Sequence, residues 1–306
     1  MAITSNDRPS RLSTAEVGLW ERLGDIRRSR ELLVAFTRTE LKVKYKNSVL
    51  GFLWSMLNPA LYLVVFYVVF QLILGSGIPN FPIFLLSGLL VWNLFSVGLA
   101  GATSSVVVNA GLVRKVSFPR EILPIASVGA ALVHFFLQAI VLFAALVVFR
   151  YDVAFSYLPL LPVALVALLA LAAALGVLLA ALNVKLRDTA HFVELALLAW
   201  FWLTPIVYPY EVVAEKLGSS VWIYQLNPVM WVVLTFQRAI YGQVEEPVAA
   251  ASLSGTADTV TNILPQGVDQ WWYLWHLGIV IVASIALFLI ALRFFGRTEG
   301  DFAEEL

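Results

Sequence analysis

Cysteine is absent from the 306 residues and charge is scarce: Asp, Glu, Lys and Arg make up 13% of the chain against 60% hydrophobic residues, at a mean hydropathy of +0.86. The missing cysteines exclude disulfides, thiolate catalysis and cysteine-based metal sites together. Soluble domains carry about a quarter charged residues, so the scarcity of charge excludes a soluble globular enzyme, a disordered chain and a nucleic-acid-binding protein. Twenty basic and twenty acidic residues cancel, but they are segregated along the chain.

Residues 47–113 hold no Asp, Glu, Lys or Arg, and further charge-free stretches cover 122–149, 153–184, 195–210, 217–237 and 270–292. A helix needs about 20 apolar residues to cross roughly 30 Å of hydrocarbon, so the 67-residue stretch holds two spans, divided by the turn Gly75-Ser76-Gly77-Ile78-Pro79-Asn80. Six spans are expected, near Leu53–Leu74, Ile83–Val107, Ile122–Phe149, Leu158–Asn183, Phe192–Tyr208 and Tyr273–Phe295. None shows the alternation of a membrane strand. The expected fold is therefore an all-α polytopic membrane protein.

Cytoplasmic loops retain Lys and Arg. Seventeen of the 20 basic residues fall on one side of this arrangement: 10 before the first span, then Arg114, Lys115, Arg120, Lys185, Arg187, Arg293 and Arg297. Only Arg150, Lys216 and Arg238 fall on the other, beside Asp152, Glu211, Glu215, Glu245, Glu246, Asp258 and Asp269. Both termini are thus expected in the cytoplasm. The first 50 residues are polar, and no cleavable signal peptide is expected.

The stretch 217–242 is apolar but interrupted by Asn227-Pro228 and Arg238. A seventh span there would place Arg293 and Arg297 outside, against the charge rule, so two short helices dipping in from the outer face are expected. Trp271, Trp272, Tyr273 and Trp275 mark the interface where the last span enters. The organisation is then a cytoplasmic segment over 1–52 with an interface helix, a transmembrane domain over 53–295 with an external segment at 209–272, and a cytoplasmic tail over 296–306.

Three segments carry more than insertion. In Arg30–Leu50, read as a helix along the inner leaflet, Arg38, Lys42 and Lys46 form a basic stripe at i, i+4, i+8 beside an apolar stripe of Leu32, Phe36, Val43 and Leu50. Such a stripe tethers the chain to anionic head groups, and it could equally receive the phosphates of a lipid-linked substrate. Asn109–Pro124 is a compact basic knob, with a short helix from Asn109 and Pro119 and Pro124 limiting the helices around it; a separate motor protein would grip such a knob, although a positive-inside loop needs only the charges. In Asn183–Tyr210, Arg187, His191 and Glu194 share a helix face, as a structural ion pair or as a functional intramembrane acid. His134 and Gln138 form a further polar pair, read as a helix-packing hydrogen bond, and Ala172, Gly176 and Ala180 a small-residue face.

Aromatic faces stack on sugar rings without demanding one pattern of hydroxyls. Tyr62, Phe66 and Phe70 on span one, Trp92 on span two, and Trp202 with Tyr208 on span five are the candidate path residues, with lipid-facing or packing aromatics as the competing reading. Trp200 and Trp202 point about 200° apart on one helix, so both cannot line one path unless Pro205 distorts the helix.

KVKYKNSVLGFLWSMLNPALYLVVFYVVF at 42–70, NAGLVRKVSFPREILP at 109–124, NVKLRD with FWLTPIVYP at 183–209, and LNPVMWVVLTFQRAIYG at 226–242 resemble the ABC-2 type permeases that export polysaccharides and polyol phosphates. The resemblance implies six spans and two permease chains working with two separate ATPase chains, which would hold ATP and Mg2+. It makes 109–124 similar to a coupling helix, with Asn109, Arg114, Lys115, Phe118, Pro119, Arg120 and Glu121 as candidate contacts. It implies a cargo of O-antigen, teichoic acid or wall galactan on polyprenyl pyrophosphate, and a bacterial cytoplasmic membrane. The tail, FGRTEGDFAEEL, departs from the family in having Gly300-Asp301 where members often have a proline.

No G-x-x-x-x-G-K-[ST] phosphate loop occurs in the sequence, so an ATP-hydrolysing site would lie on a partner and this chain would supply no catalytic residue, cofactor or metal site. The competing readings are an ABC-2 exporter of small hydrophobic compounds and a membrane enzyme acting on polyprenyl-linked sugars. The enzyme would need a carboxylate or His–acid constellation at one membrane face. His276 at the external interface is far in sequence from the external acids.

Overall fold

The computed structural model describes residues 18–46, 53–73, 75, 78–242, 248–249, 260–261 and 263–305. Four helices are long and apolar enough to cross a membrane: α4 (Phe81–Val108), α6 (Ile122–Val148), α7 (Leu160–Lys185) and α12 (Gln270–Thr298). They match the expected second, third, fourth and sixth spans to within a few residues. Before them come α1 (Leu19–Arg28), α2 (Arg30–Tyr45) and α3 (Leu53–Phe66); α5 (Ala110–Val113) follows α4, α8 (Thr189–Trp202) follows α7, and α9 (Tyr210–Leu217), α10 (Val221–Gln225) and α11 (Pro228–Ile240) lead to α12 and the terminal turn α13 (Phe302–Glu305).

The other two expected spans look different. In place of one regular helix over Leu53–Leu74, α3 carries Pro59 inside it and runs without a break into a seven-residue π-helix, Tyr67–Ile73. Proline removes one intrahelical hydrogen bond, and the wider π turn follows. Leu74 and, of the dividing turn, Ser76 and Gly77 lie outside the described residues. The fifth expected span, Phe192–Tyr208, is cut short: α8 ends at Trp202 after 14 residues, about 21 Å of rise, against the roughly 30 Å of a hydrocarbon core. Pro205 therefore does not kink a continuing helix, because the chain has already left the helix at Leu203.

The interrupted stretch 217–242 forms the short helices α10 and α11, of five and 13 residues. Asn227 and Pro228 start α11: the Asn227 side chain accepts from the backbone N–H of Val229 and Met230, and Pro228 takes the first helical position, where no N–H is needed. Once started, α11 is buried on nearly every side against α4, α7 and α12. Two two-residue strands, Val248–Ala249 and Val260–Thr261, pair antiparallel in the segment after it.

α4 is the most enclosed of the long helices. It packs along α6 and α7, and α7 packs in turn on α12. The close approach of α4 and α7 is set at Gly176, where an added Cβ would lie 2.7 Å from the Ala102 Cβ. Ala172 and Ala180 on the same face are fully buried, so the small-residue face is where two backbones meet. A second, smaller apolar cluster lies at the other end of the bundle: Val113, Leu123, Val184, Leu292, Phe295 and Phe302 are buried there, with Leu23, Ile26, Phe36 and Phe118 packed around them. This cluster ties α1, α2 and the chain end to the segment between α4 and α6.

Gly176→Val puts a branched side chain into space already closed by Ala102, and overpacking of this kind costs about 1–3 kcal/mol. A clearly lower thermal midpoint in detergent is expected for Gly176→Val. The same change at Gly278 of α12, where an added Cβ meets nothing within 4 Å, is expected to leave the midpoint in place. An unaltered midpoint in Gly176→Val would contradict the close α4–α7 approach.

Candidate functional site

The segment 109–121 links α4 to α6 through one helical turn, α5, and an irregular run. Asn109 ends α4, its side-chain amide donating to the Ser105 carbonyl at 2.8 Å. Arg114 and Lys115 are exposed, with Val116 and Ser117 beside them. Phe118 turns back, its ring 5.5 Å from Phe36 of α2. Pro119 is half-buried. Arg120 donates to the Glu299 carbonyl at 2.8 Å, its Nε lies 3.6 Å from a Glu299 carboxylate oxygen, and its guanidinium sits 5.9 Å from the centre of the Phe302 ring.

Glu121 is the most enclosed charge in the group, at 2% exposure. Arg22 of α1 donates to it at 2.5 Å and to Glu299 at 3.1 Å through the same nitrogen. Burial pushes the Glu121 carboxyl up from its usual range, and the Glu299 charge adds to this while Arg22 opposes it. Two cations and two carboxylates thus close a network joining α1, the start of α6 and the end of α12. The seven candidate coupling residues divide accordingly: Arg114 and Lys115 face outward, while Phe118, Arg120 and Glu121 hold the segment to the rest of the chain.

The interface helix docks by a face that the hydrophobic pattern did not single out. Thr37, Glu40 and Lys44, at i, i+3, i+7, face α6: Ser127 donates to Glu40 at 2.6 Å, and the Lys44 amine lies 3.3 Å from His134 Nε2. Gly129 makes room for Thr37, whose Oγ1 would stand 3.0 Å from an added Cβ. Burial raises the Glu40 carboxyl and lowers the Lys44 amine from their ordinary values, each partly offset by the other's charge. Arg38 and Lys42 are exposed on α2, whereas Lys46 is exposed just past its end, because the helix stops at Tyr45 and Lys46 is extended. Val43 of the expected apolar stripe is 68% exposed, because the α6-facing side of α2 is the polar one; Leu50 lies outside the described residues.

Several polar pairs differ from the sequence pattern. His134 and Gln138 each reach another helix, His134 to Lys44 and Gln138 to Asn93 of α4 at 3.3 Å, so both serve helix packing. His191 and Glu194 lie 3.7 Å apart but are largely exposed, which makes the pair worth about 0–1 kcal/mol. Arg187 turns from them to the Glu305 carbonyl. Among the described residues no group of three or more His, Asp or Glu is placed to hold a metal ion.

The candidate path aromatics form one run of rings with a buried and an open end. Tyr62, Phe66 and Phe70 follow one another at 6.1 and 5.8 Å, and Phe66 stacks on Phe201 at 6.1 Å. Trp92 is 7% exposed and packs edge-on against Phe201 at 5.6 Å, inside the bundle. Tyr62 and Trp202 are 45% and 51% exposed. Trp200 points inward, edge-on to Phe95 at 5.0 Å; Trp202 points out, as two residues on one helix must. Tyr208 folds back so that its hydroxyl donates to the Trp202 carbonyl at 2.7 Å. Asn227 holds this turn: it accepts from Trp200 Nε1 at 2.8 Å and donates to the Leu203 carbonyl and Thr204 Oγ1 at 3.1 and 3.0 Å.

Residues 31–241 match the family described as ABC-2 type transporter. The chain belongs to the ABC-2 type transporter family. It is 32% identical over 276 residues to an O-antigen export system permease protein, RfbA, of Klebsiella pneumoniae, covering 90% of this chain and 95% of that protein. It is 34% identical over 217 residues to the RfbA of Myxococcus xanthus, 69% of this chain and 81% of that protein. A shorter match, 31% over 75 residues, reaches the polysialic acid transport protein KpsM of Escherichia coli, 24% of this chain and 29% of that protein. The ABC-2 match takes in α2 through α11 and the 109–121 segment; α1 and α12, which bring Arg22 and Glu299 to the network, flank it.

The sequence pattern did not single out Arg22, Glu299, Glu40 or Lys44, and it marked Asn227 only as an interruption of the apolar stretch 217–242. The i, i+3, i+7 spacing of Thr37, Glu40 and Lys44 was a usable signal for a polar docking face. Arg22 and Glu299 are 277 residues apart and carry no local signal. Asn227 binds Trp200, Leu203 and Thr204 as well as capping α11, and leaving buried groups without partners costs about 1–3 kcal/mol. Asn227→Ala is therefore expected to lower the thermal midpoint well beyond Trp200→Phe, which loses one of those bonds; equal midpoints for the two would contradict the hub role.

Proposed function

We propose that the chain is the permease subunit of an ATP-driven exporter that carries a polysaccharide on polyprenyl pyrophosphate from the cytoplasmic to the outer side of a bacterial cytoplasmic membrane. Two copies of the chain would work with two separate ABC ATPase chains. The observation that carries the reading is the match to an O-antigen export permease over 90% of this chain and 95% of that protein, a likeness not confined to one segment. Shorter matches to a second O-antigen permease and to a polysialic acid transport protein favour sugar polymers, rather than small hydrophobic compounds, as the cargo class.

The division of labour follows from the residues. No phosphate-binding loop is present in the sequence, so ATP and Mg2+ are assigned to the partner. Arg114 and Lys115 are the charged side chains of the 109–121 segment that stand exposed for a partner, since Arg120 and Glu121 are already engaged. Arg38 and Lys42 on α2 and Lys46 just past its end present three exposed cations, suited to the pyrophosphate of the carrier and to anionic head groups alike. The open faces of α3 and α8, with Tyr62 and Trp202 among their exposed aromatics, are where a second copy would close a path that stacks on sugar rings. In this reading α3 with its π-helix and α8 with the turn after it complete six passes, α9–α11 enter from the outside, and both termini are cytoplasmic.

Reversing both charges, Arg114→Glu with Lys115→Glu, should cut export of the lipid-linked polymer by at least ~10-fold, the equivalent of about 1.4 kcal/mol, while membrane insertion and amount of protein stay at the level of the unmodified chain. The readout is lipid-linked glycan accumulating in cells. Undiminished export by the double variant would remove these residues from the partner contact.

A further inference from the structure

We propose that α12 transmits the movement of the 109–121 segment across the membrane, and that Arg22, Glu121, Glu299 and Gly296 form the joint between them. The inference rests on the transport reading above. By sequence, the segment is continuous only with α4 and α6, and movement of either would be the default route. The joint adds a third route: Arg22 bridges Glu121 and Glu299 through one nitrogen, and Arg120 grips Glu299 from the other side.

The packing under Arg22 shows a fitted seat. Its guanidinium lies over α12 at Gly296, where an added Cβ would stand 2.7 Å from Cζ and 2.8 Å from Nε and Nη2. A Cβ at 296 would require the guanidinium to shift from this seat.

From this joint α12 runs 29 residues without interruption, about 43 Å at helical rise. At its far end His276 stacks on Trp231 of α11 with ring centroids 3.7 Å apart, and Trp272 meets the same ring at 5.1 Å. α11 begins after Asn227, which holds Trp200, Leu203 and Thr204. A continuous series of directed contacts therefore leads from the 109–121 segment, through the charge network and one unbroken helix, to the turn that carries Trp202. Arg22, Glu299 and Gly296 are positioning residues here, acting through α12 and touching no cargo.

The cysteine-free sequence lets introduced cysteines carry spin labels without background. One pair, at the exposed Lys115 and Arg293, reports the joint in the purified full chain alone. A second pair, at the exposed Lys216 and Trp271, reports the outer end in the assembled complex with its ATPase, with and without ATP. Gly296→Ala and Glu299→Gln are each expected to broaden the inner distance, leave ATP hydrolysis running, and abolish both the ATP-dependent change of the outer distance and polymer export. A full-sized outer change in variants whose inner distance has broadened would overturn the proposal and return the stroke to α4 and α6. An inner distance equally narrow in both variants would overturn the joint itself. An unmodified complex with no ATP-dependent outer change would overturn the transport reading instead, with the inner-pair result still reporting whether the joint exists.

Discussion

A carboxylate placed where water cannot reach it dictates the arrangement of one end of this protein. Glu121 stands at the start of α6 at 2% exposure, and a buried charge stripped of its partner costs about 3–5 kcal/mol. Arg22 must therefore be delivered to it, so α1 lies against α12 rather than free of the bundle. Reaching Glu121 takes Arg22 across α12 at Gly296, where an added Cβ would stand 2.7 Å from the Arg22 Cζ. The second carboxylate, Glu299, balances Arg120 and keeps the chain end folded back, with Phe302 fully buried beside it. These pairs and the apolar cluster of Val113, Leu123, Leu292 and Phe295 brace the 109–121 segment on other elements, so that it does not hang between two helices.

The rest of the bundle obeys the complementary constraint that backbone polar groups inside a membrane need internal partners. Long helices meet it by themselves. The short ones meet it through caps and neighbours: Asn183 accepts from Ala190 N–H at the start of α8, Asn227 caps α11, and Gln237 of α11 donates to the Pro205 carbonyl at 2.9 Å in the turn after α8. The turn after α8 is covered in this way by α11, which is itself buried among α4, α7 and α12.

The four long helices were legible because a charge-free run of more than about 20 residues with no proline near its centre has one stable outcome in lipid. α11 was legible from Asn227-Pro228 followed by apolar residues. The end of α8 was only half legible: Pro205 disfavours helix at Thr204, whereas the bonds from Asn227 to Leu203 and Thr204 that hold the turn come from a distant part of the chain. The docking face of α2 was missed because a hydrophobic pattern ranks Val43 above Lys44, whereas Ser127 and His134 on α6 favour the polar face. The family resemblance located the 109–124 segment, yet which of its residues face inward depended on Arg22 and Glu299, far away in sequence and outside the stretch matched to the ABC-2 family.

The proposed role for this chain is the membrane half of an exporter of a lipid-linked sugar polymer. The most direct measurement is ATP hydrolysis by the chain reconstituted in lipid vesicles together with its partner ATPase, with polyprenyl-pyrophosphate glycan added and, separately, the same carrier lacking its glycan. The account predicts that the two chains purify as one complex, that the glycan-bearing carrier stimulates hydrolysis, and that the polymer reaches the opposite side of the vesicle membrane only with ATP. A complex whose hydrolysis and glycan distribution are indifferent to the glycan-bearing carrier would contradict it.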